Sequence, residues 1–174
     1  VEFTHRGTKF YCDSAVLAKK TNYLEAYGNV KIVDGDSVTI IAEKLLYDGN
    51  TRVANLRRNV ILTQLGRMQL FTNYLDYDRN TAIATYFNNG KIVDTTNVLT
   101  SKKGYYNTNT NMASFKTNVV GENDDYTMRS DTLRYNTKSG VVYFVASTEL
   151  TDVDGNIFVH EGGQYNSKEQ RSSY

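Results

Sequence analysis

The sequence predicts an all-β fold built from tandem two-strand repeats. Three observations carry that prediction: a composition of strand formers without proline, a periodicity of about thirty residues, and turn chemistry at both ends of each period. The 174 residues contain 14 tyrosines, 7 phenylalanines, no tryptophan and no proline. Val, Ile, Thr, Tyr and Phe fit the pleated surface of a sheet, and a chain that is ladder along its whole length has no place for a residue lacking the N–H donor. A hydrophobic fraction of 40% supports one domain with its own core, so residues 1–174 are read as a single repeat domain.

The period shows in Tyr47-Asp48, Tyr77-Asp78, Tyr106-Asn107, Tyr135-Asn136 and Tyr165-Asn166, with Leu17 in register one period before Tyr47. Seven residues ahead of each anchor stand Phe10, Ile40, Leu70, Leu99, Met128 and Phe158. Five ahead come the mostly small Cys12, Ala42, Thr72, Ser101, Ser130 and His160, and four ahead the polar Asp13, Glu43, Asn73, Lys102, Asp131 and Glu161. A second strand in each unit carries Leu56, Tyr86, Phe115 and Phe144 in one column, and Ala54, Ala84 and Ala113 in another.

Apolar positions before the polar column have one parity, and those after it (Leu45, Leu75, Leu133 and the tyrosines) have the other. A strand of period two keeps both sets on one face only if an extra residue intervenes, which predicts a bulge between Ala42 and Leu45 and at its equivalents. The tyrosines are expected to form a cross-strand aromatic ladder. Asp48-Gly49-Asn50, Asp78-Arg79-Asn80, Asn107-Thr108-Asn109 and Asn136 to Gly140 read as turns after the anchors. Asp34-Gly35-Asp36, Leu65-Gly66-Arg67, Gly121 to Asp125 and Asp154-Gly155-Asn156 read as turns between units. About eleven strands result, stacked along one axis because a lone hairpin cannot bury its apolar face.

Several functions lack a basis in these residues. Twenty basic against 19 acidic side chains, interspersed to a net charge of +1, argue against a nucleic-acid partner. Cys12 and two histidines in different repeats supply no metal cluster, and no cofactor is expected. Asp34-Gly35-Asp36 and Asp152 to Asn156 lack the full calcium-loop pattern and read as hairpin turns. No nucleophile elbow or phosphate loop is present, so the chain is read as non-enzymatic. No apolar stretch approaches a membrane-spanning length, and the chain is read as a fragment of a longer one whose leader is absent.

Units of a small residue, Asp or Glu and then Tyr-Asp, a turn, and a strand closing on Gly-Asn-Val, as in Ala42-Glu43-Lys44-Leu45-Leu46-Tyr47-Asp48 and Ala26-Tyr27-Gly28-Asn29-Val30, resemble the OstA-like family of LptA-type periplasmic lipopolysaccharide-transport proteins. The resemblance covers roughly residues 9 to 169. It implies an open, twisted β-jelly roll (β-taco) whose two sheets enclose an apolar groove for lipopolysaccharide acyl chains. It also implies a periplasmic location in a Gram-negative cell, and union through edge strands with other domains of the type or with further copies of the chain. On that reading the lining is Phe10, Ile40, Leu70, Leu99, Met128, Phe158, Leu56, Tyr86, Phe115 and Phe144. The alternative is a structural β-repeat, stalk-like or adhesin-like, in which the same columns form a closed, dry core. Small residues in the Cys12 and Ala54 columns lean towards the carrier by leaving space.

Overall fold

A computed structural model describes residues 1–168 and the backbone of residues 171–173. Its strands are β1 (Glu2–His5), β2 (Thr8–Tyr11), β3 (Ser14–Ala18), β4 (Tyr23–Asp34), β5 (Val38–Asp48), β6 (Val53–Gln64), β7 (Met68–Asp78), β8 (Ile83–Tyr86) and β9 (Gly90–Val93). They continue with β10 (Val98–Ser101), β11 (Lys103–Asn107), β12 (Met112–Glu122), β13 (Tyr126–Asn136), β14 (Val141–Phe144), β15 (Thr148–Asp152), β16 (Ile157–His160), β17 (Gln164–Asn166) and β18 (Arg171–Ser173). No helix occurs among the described residues.

All pairings are antiparallel, and they define one sheet folded lengthwise into two leaves. The first leaf runs β1, β2, β4, β5, β6, β7, β9, β10, β12, β13, β15, β16. The second runs β3, β4, β5, β6, β7, β8, β11, β12, β13, β14, β17, β18. The long strands β4, β5, β6, β7, β12 and β13 cross from one leaf to the other. Elsewhere two short strands divide the crossing: β2 with β3, β8 with β9, β10 with β11, β14 with β15, and β16 with β17. Counted as crossings, β2 to β17 make the eleven strands of the periodicity, flanked by β1 and β18. Six strands, β7, β8, β11, β12, β10 and β9, close a ring of pairings around the break at 87–89 and Lys102.

The fold line is written in backbone geometry. Gly28 and Asn29 lie opposite Glu43 alone, residues 58–59 opposite Asn73, and residues 117–118 opposite Asp131, so two residues face one at each register shift. Both members of each doublet have positive φ: Gly28 +75° and Asn29 +46°, Arg58 +67° and Asn59 +50°, Thr117 +69° and Asn118 +53°. The shift sits where parity demands it, between Ala42 and Leu45. The left-handed residues, however, belong to the partner strand that ends in Asn-Val. Asparagine recurs because its short polar side chain tolerates this region better than most.

Between the leaves lies one core running the length of the stack. Ile40, Leu45, Leu56, Leu62, Leu70, Leu75, Leu99, Phe115, Met128 and Leu133 are completely buried within it. Cys12 is buried in the same core, as its place in the small column suggests.

Candidate functional site

The leaves are joined on one side by the crease and on the other by a row of tyrosine hydroxyls. Each anchor tyrosine ends a strand of the second leaf, is buried, and reaches the far leaf at a residue 40 to 43 positions earlier. Tyr77 Oη donates to Asp34 Oδ2 at 2.8 Å, and Tyr165 Oη to Asp125 Oδ2 at 3.2 Å. Tyr106 Oη donates to Gln64 Oε1, and Tyr135 Oη to Asp94 Oδ2. Tyr47 Oη lies 2.9 Å from His5 Nδ1 and accepts from Arg79 Nη1 at 3.0 Å. These tyrosines therefore latch the two lips of the folded sheet. The expected aromatic ladder is not what the rings form: the ring contacts found for this column are with His5, Phe10 and Tyr126, not within the column.

Burial raises the ionisation of Tyr77, Tyr106, Tyr135 and Tyr165 above the ordinary tyrosine value. The carboxylate each faces adds to the effect for Tyr77, Tyr135 and Tyr165. His5 is held below its usual value by burial and then by the guanidinium of Arg79. A neutral imidazole leaves Nδ1 free to accept the Tyr47 proton while Arg79 occupies the lone pair of the hydroxyl.

Of the ten residues expected to line a groove, nine are buried: Phe10, Ile40, Leu70, Leu99, Met128, Leu56, Tyr86, Phe115 and Phe144. Tyr86 Oη is paired with Ser101 Oγ at 2.5 Å. Phe158 differs and is 46% exposed. It pairs with the buried Leu150 and so belongs to the inward column, but among the described residues β16 is the last strand of the first leaf and no further layer covers it. Ala54, Ala84 and Ala113 are also buried, so the space left by the small column is filled by neighbours.

The interior opens at the β1 and β3 end. A cavity of about 380 Å³ lies there, walled by Val1, Phe3, Ala15, Leu17, Leu24 and Tyr47, with His5 and Asn22 at its polar edge. Phe3 stacks on Phe10 at 4.6 Å, and Phe10 meets Tyr47 at 4.8 Å, which joins the cavity wall to the core. Leu17, 56% exposed, is the inward residue of the outermost layer, opposite the buried Leu24. Sequence reasoning placed Leu17 in register but did not single out Phe3 or Leu24. Their only signal was membership of the apolar alternation at the stack end.

The acidic turns carry no metal geometry. Asp152 accepts from the backbone N–H groups of Asp154 and Asn156, while Asp34 is taken up by Thr8 and Tyr77. Among the described residues no group of acidic, histidine or cysteine side chains is arranged to hold a metal ion.

An antiparallel sheet folded over one apolar core and latched at its lips, with an apolar cavity at the β1–β3 end, defines an all-β protein of the jelly-roll kind. The OstA-like protein family model matches residues 1–131 of the 174, and the chain belongs to the OstA-like family. No curated protein matches it. Among solved structures it is similar to LptH, the LptA homologous periplasmic component of the conserved lipopolysaccharide transport device from Pseudomonas aeruginosa. Identity is 12%, the match covers 88% of this chain and 93% of the other, and the TM-score is 0.33.

Proposed function

We propose that this chain is a periplasmic, non-enzymatic carrier in lipopolysaccharide transport, admitting acyl chains through the β1–β3 end into the apolar space between the leaves. The observation that carries this reading is the cavity at that end, whose wall of Phe3, Leu17 and Leu24 continues into the core through Phe10. Each methylene moved from water into such a wall contributes about 0.8 kcal/mol. Membership of the OstA-like family, with the role that the resemblance implies, agrees with it. Inward positions from Phe10 to Phe144 become lining when the leaves part.

The ends fit a partner of the same architecture. Among the described residues the first leaf has one extra strand, β1, at one end, and the second leaf has one extra strand, β18, at the other. Each end is thus a step, and the two steps are complementary. Joining β16 to β1 and β18 to β3 continues the antiparallel alternation and covers Leu17 and Phe158, whether the partner is a second copy or another domain of the type.

A structural β-repeat with a closed, dry core is the second reading, and complete burial of nine of the ten proposed lining residues favours it. Co-elution with lipopolysaccharide on size exclusion separates the two, using the parent chain and Leu17→Asp, which places a charge at an exposed mouth position without disturbing the core. Lipopolysaccharide that travels with the parent and not with the variant supports the carrier. A folded parent that retains none supports the structural repeat.

A further inference from the structure

The crease is lined on its outer side by a row of amides, and in its middle these are left without partners. Asn29 Nδ2 donates to Asp13 and Asn59 Nδ2 to Glu43, while Asn73 Oδ1 accepts from the backbone N–H of Asn59. Among the described residues the side-chain amides of Asn88, Asn89 and Asn118 have no hydrogen-bond partner, and all three residues are exposed on one hollow of about 680 Å³. That hollow faces outward, because its walls include Ile61, Phe71 and Lys91, which alternate with the buried Leu62, Leu70 and Ile92.

Charge is distributed unevenly along this line. The adjoining hollow on one side mixes Glu43 with Lys44, Arg57 and Arg58, and the one on the other mixes Asp131 and Glu149 with Arg129, whereas the central hollow has Lys91 and Lys102 in its wall and no carboxylate. Lys91 Nζ lies 5.7 Å over the Phe71 ring, which presents a flat carbon surface beside it. From β6 through β7, β9 and β10 to β12 the hollow crosses four interstrand spacings, about 19 Å.

We infer that this central crease binds an extended acidic oligosaccharide laid across the strands. A primary amide offers a donor and an acceptor side by side, which matches vicinal hydroxyls, and the lysines match carboxylate or phosphate substituents on the sugar. Phe71 supplies a face for the C–H side of a sugar ring. Two lysines on a chain of net charge +1 are too few for a nucleic-acid track. The site lies outside the fold and stands apart from the lipid reading, which concerns the interior.

Titration calorimetry tests it at about 0.15 M salt, where distant charges are screened. The probe is an oligogalacturonate long enough to span the crease, with maltoheptaose and inorganic phosphate as comparisons. Saturable binding of oligogalacturonate is expected, weakened about tenfold or more by Lys91→Gln with Lys102→Gln and by Asn88→Ala, and unchanged by Lys138→Gln in a distant turn. No saturable binding overturns the inference. So does binding that phosphate alone reproduces, that Lys138→Gln weakens equally, or that maltoheptaose matches in affinity.

Discussion

Tyr77 Oη donates to Asp34 Oδ2 at 2.8 Å across the opening between the two leaves, and the same carboxylate accepts from Thr8 Oγ1 at 2.9 Å. A tyrosine hydroxyl bridges the leaves in this way at five anchors, on a carboxylate for Tyr77, Tyr135 and Tyr165, on Gln64 for Tyr106 and beside His5 for Tyr47. This arrangement makes the sheet a latched fold whose two lips are held by side chains, while the crease opposite is held by backbone.

Tyr77→Phe removes one latch without altering core volume, and Asp34 keeps Thr8 as a partner. The expected loss is about 1.5–3 kcal/mol, the range for a hydrogen bond to a charged group. The shift in urea midpoint at unchanged slope measures it. Tyr77→Phe with Tyr106→Phe should lose more, since Tyr106 also holds Thr137 at 3.0 Å.

Alkali should open the latch. Burial favours the neutral phenol in the folded chain, with Tyr86 raised to about 12 and Tyr77, Tyr106, Tyr135 and Tyr165 also displaced upward. Because the folded values lie above the unfolded value of about 10, the folded state binds the protons more tightly. Stability is therefore complete below pH 10 and falls as pH rises from there through the folded values. Thermal midpoints followed alongside phenolate absorbance should show that decline together with a class of late-titrating tyrosines.

The crease predicts opposite outcomes at two equivalent positions. Gly28 has φ +75°, and a Cβ there would lie 2.5 Å from Asp13 Oδ2, so Gly28→Ala should cost about 1–3 kcal/mol. Thr117, β-branched at φ +69°, already bears such strain, and Thr117→Gly should stabilise by up to about 1 kcal/mol. Denaturant midpoints of the two variants decide the point.

At the β16 end, Ile157, Phe158 and Val159 are all exposed on a strand paired on one side alone among the described residues. Val159→Lys places a charge on that edge. Concentration-dependent association seen by sedimentation should weaken by about tenfold or more, with the thermal midpoint unchanged.

Much of this was legible in the sequence because it repeats. The inward columns from Phe10 to Met128, the parity change after Ala42 and the turns all follow from period and composition. The latch was not legible. Its partners His5, Asp34, Gln64, Asp94 and Asp125 stand at or beside strand ends 40 to 43 residues upstream; Asp34 and Asp125 read as turn chemistry, the other three belong to no column, and only the folding of one sheet onto itself brings them to the tyrosines. The exposure of Phe158 was hidden for a related reason: a periodic pattern assigns a residue to a column but does not show that the stack ends there.

The account rests on acyl chains entering between the leaves, and site-specific photocrosslinking to lipopolysaccharide tests that most directly. A photoreactive residue is placed at Leu17 in the mouth, at Phe115 in the interior and at the outward-facing Lys116. The account predicts adducts at Leu17 and Phe115 and none at Lys116. Folded variants that give no adduct at either inward position would contradict it and leave the structural repeat.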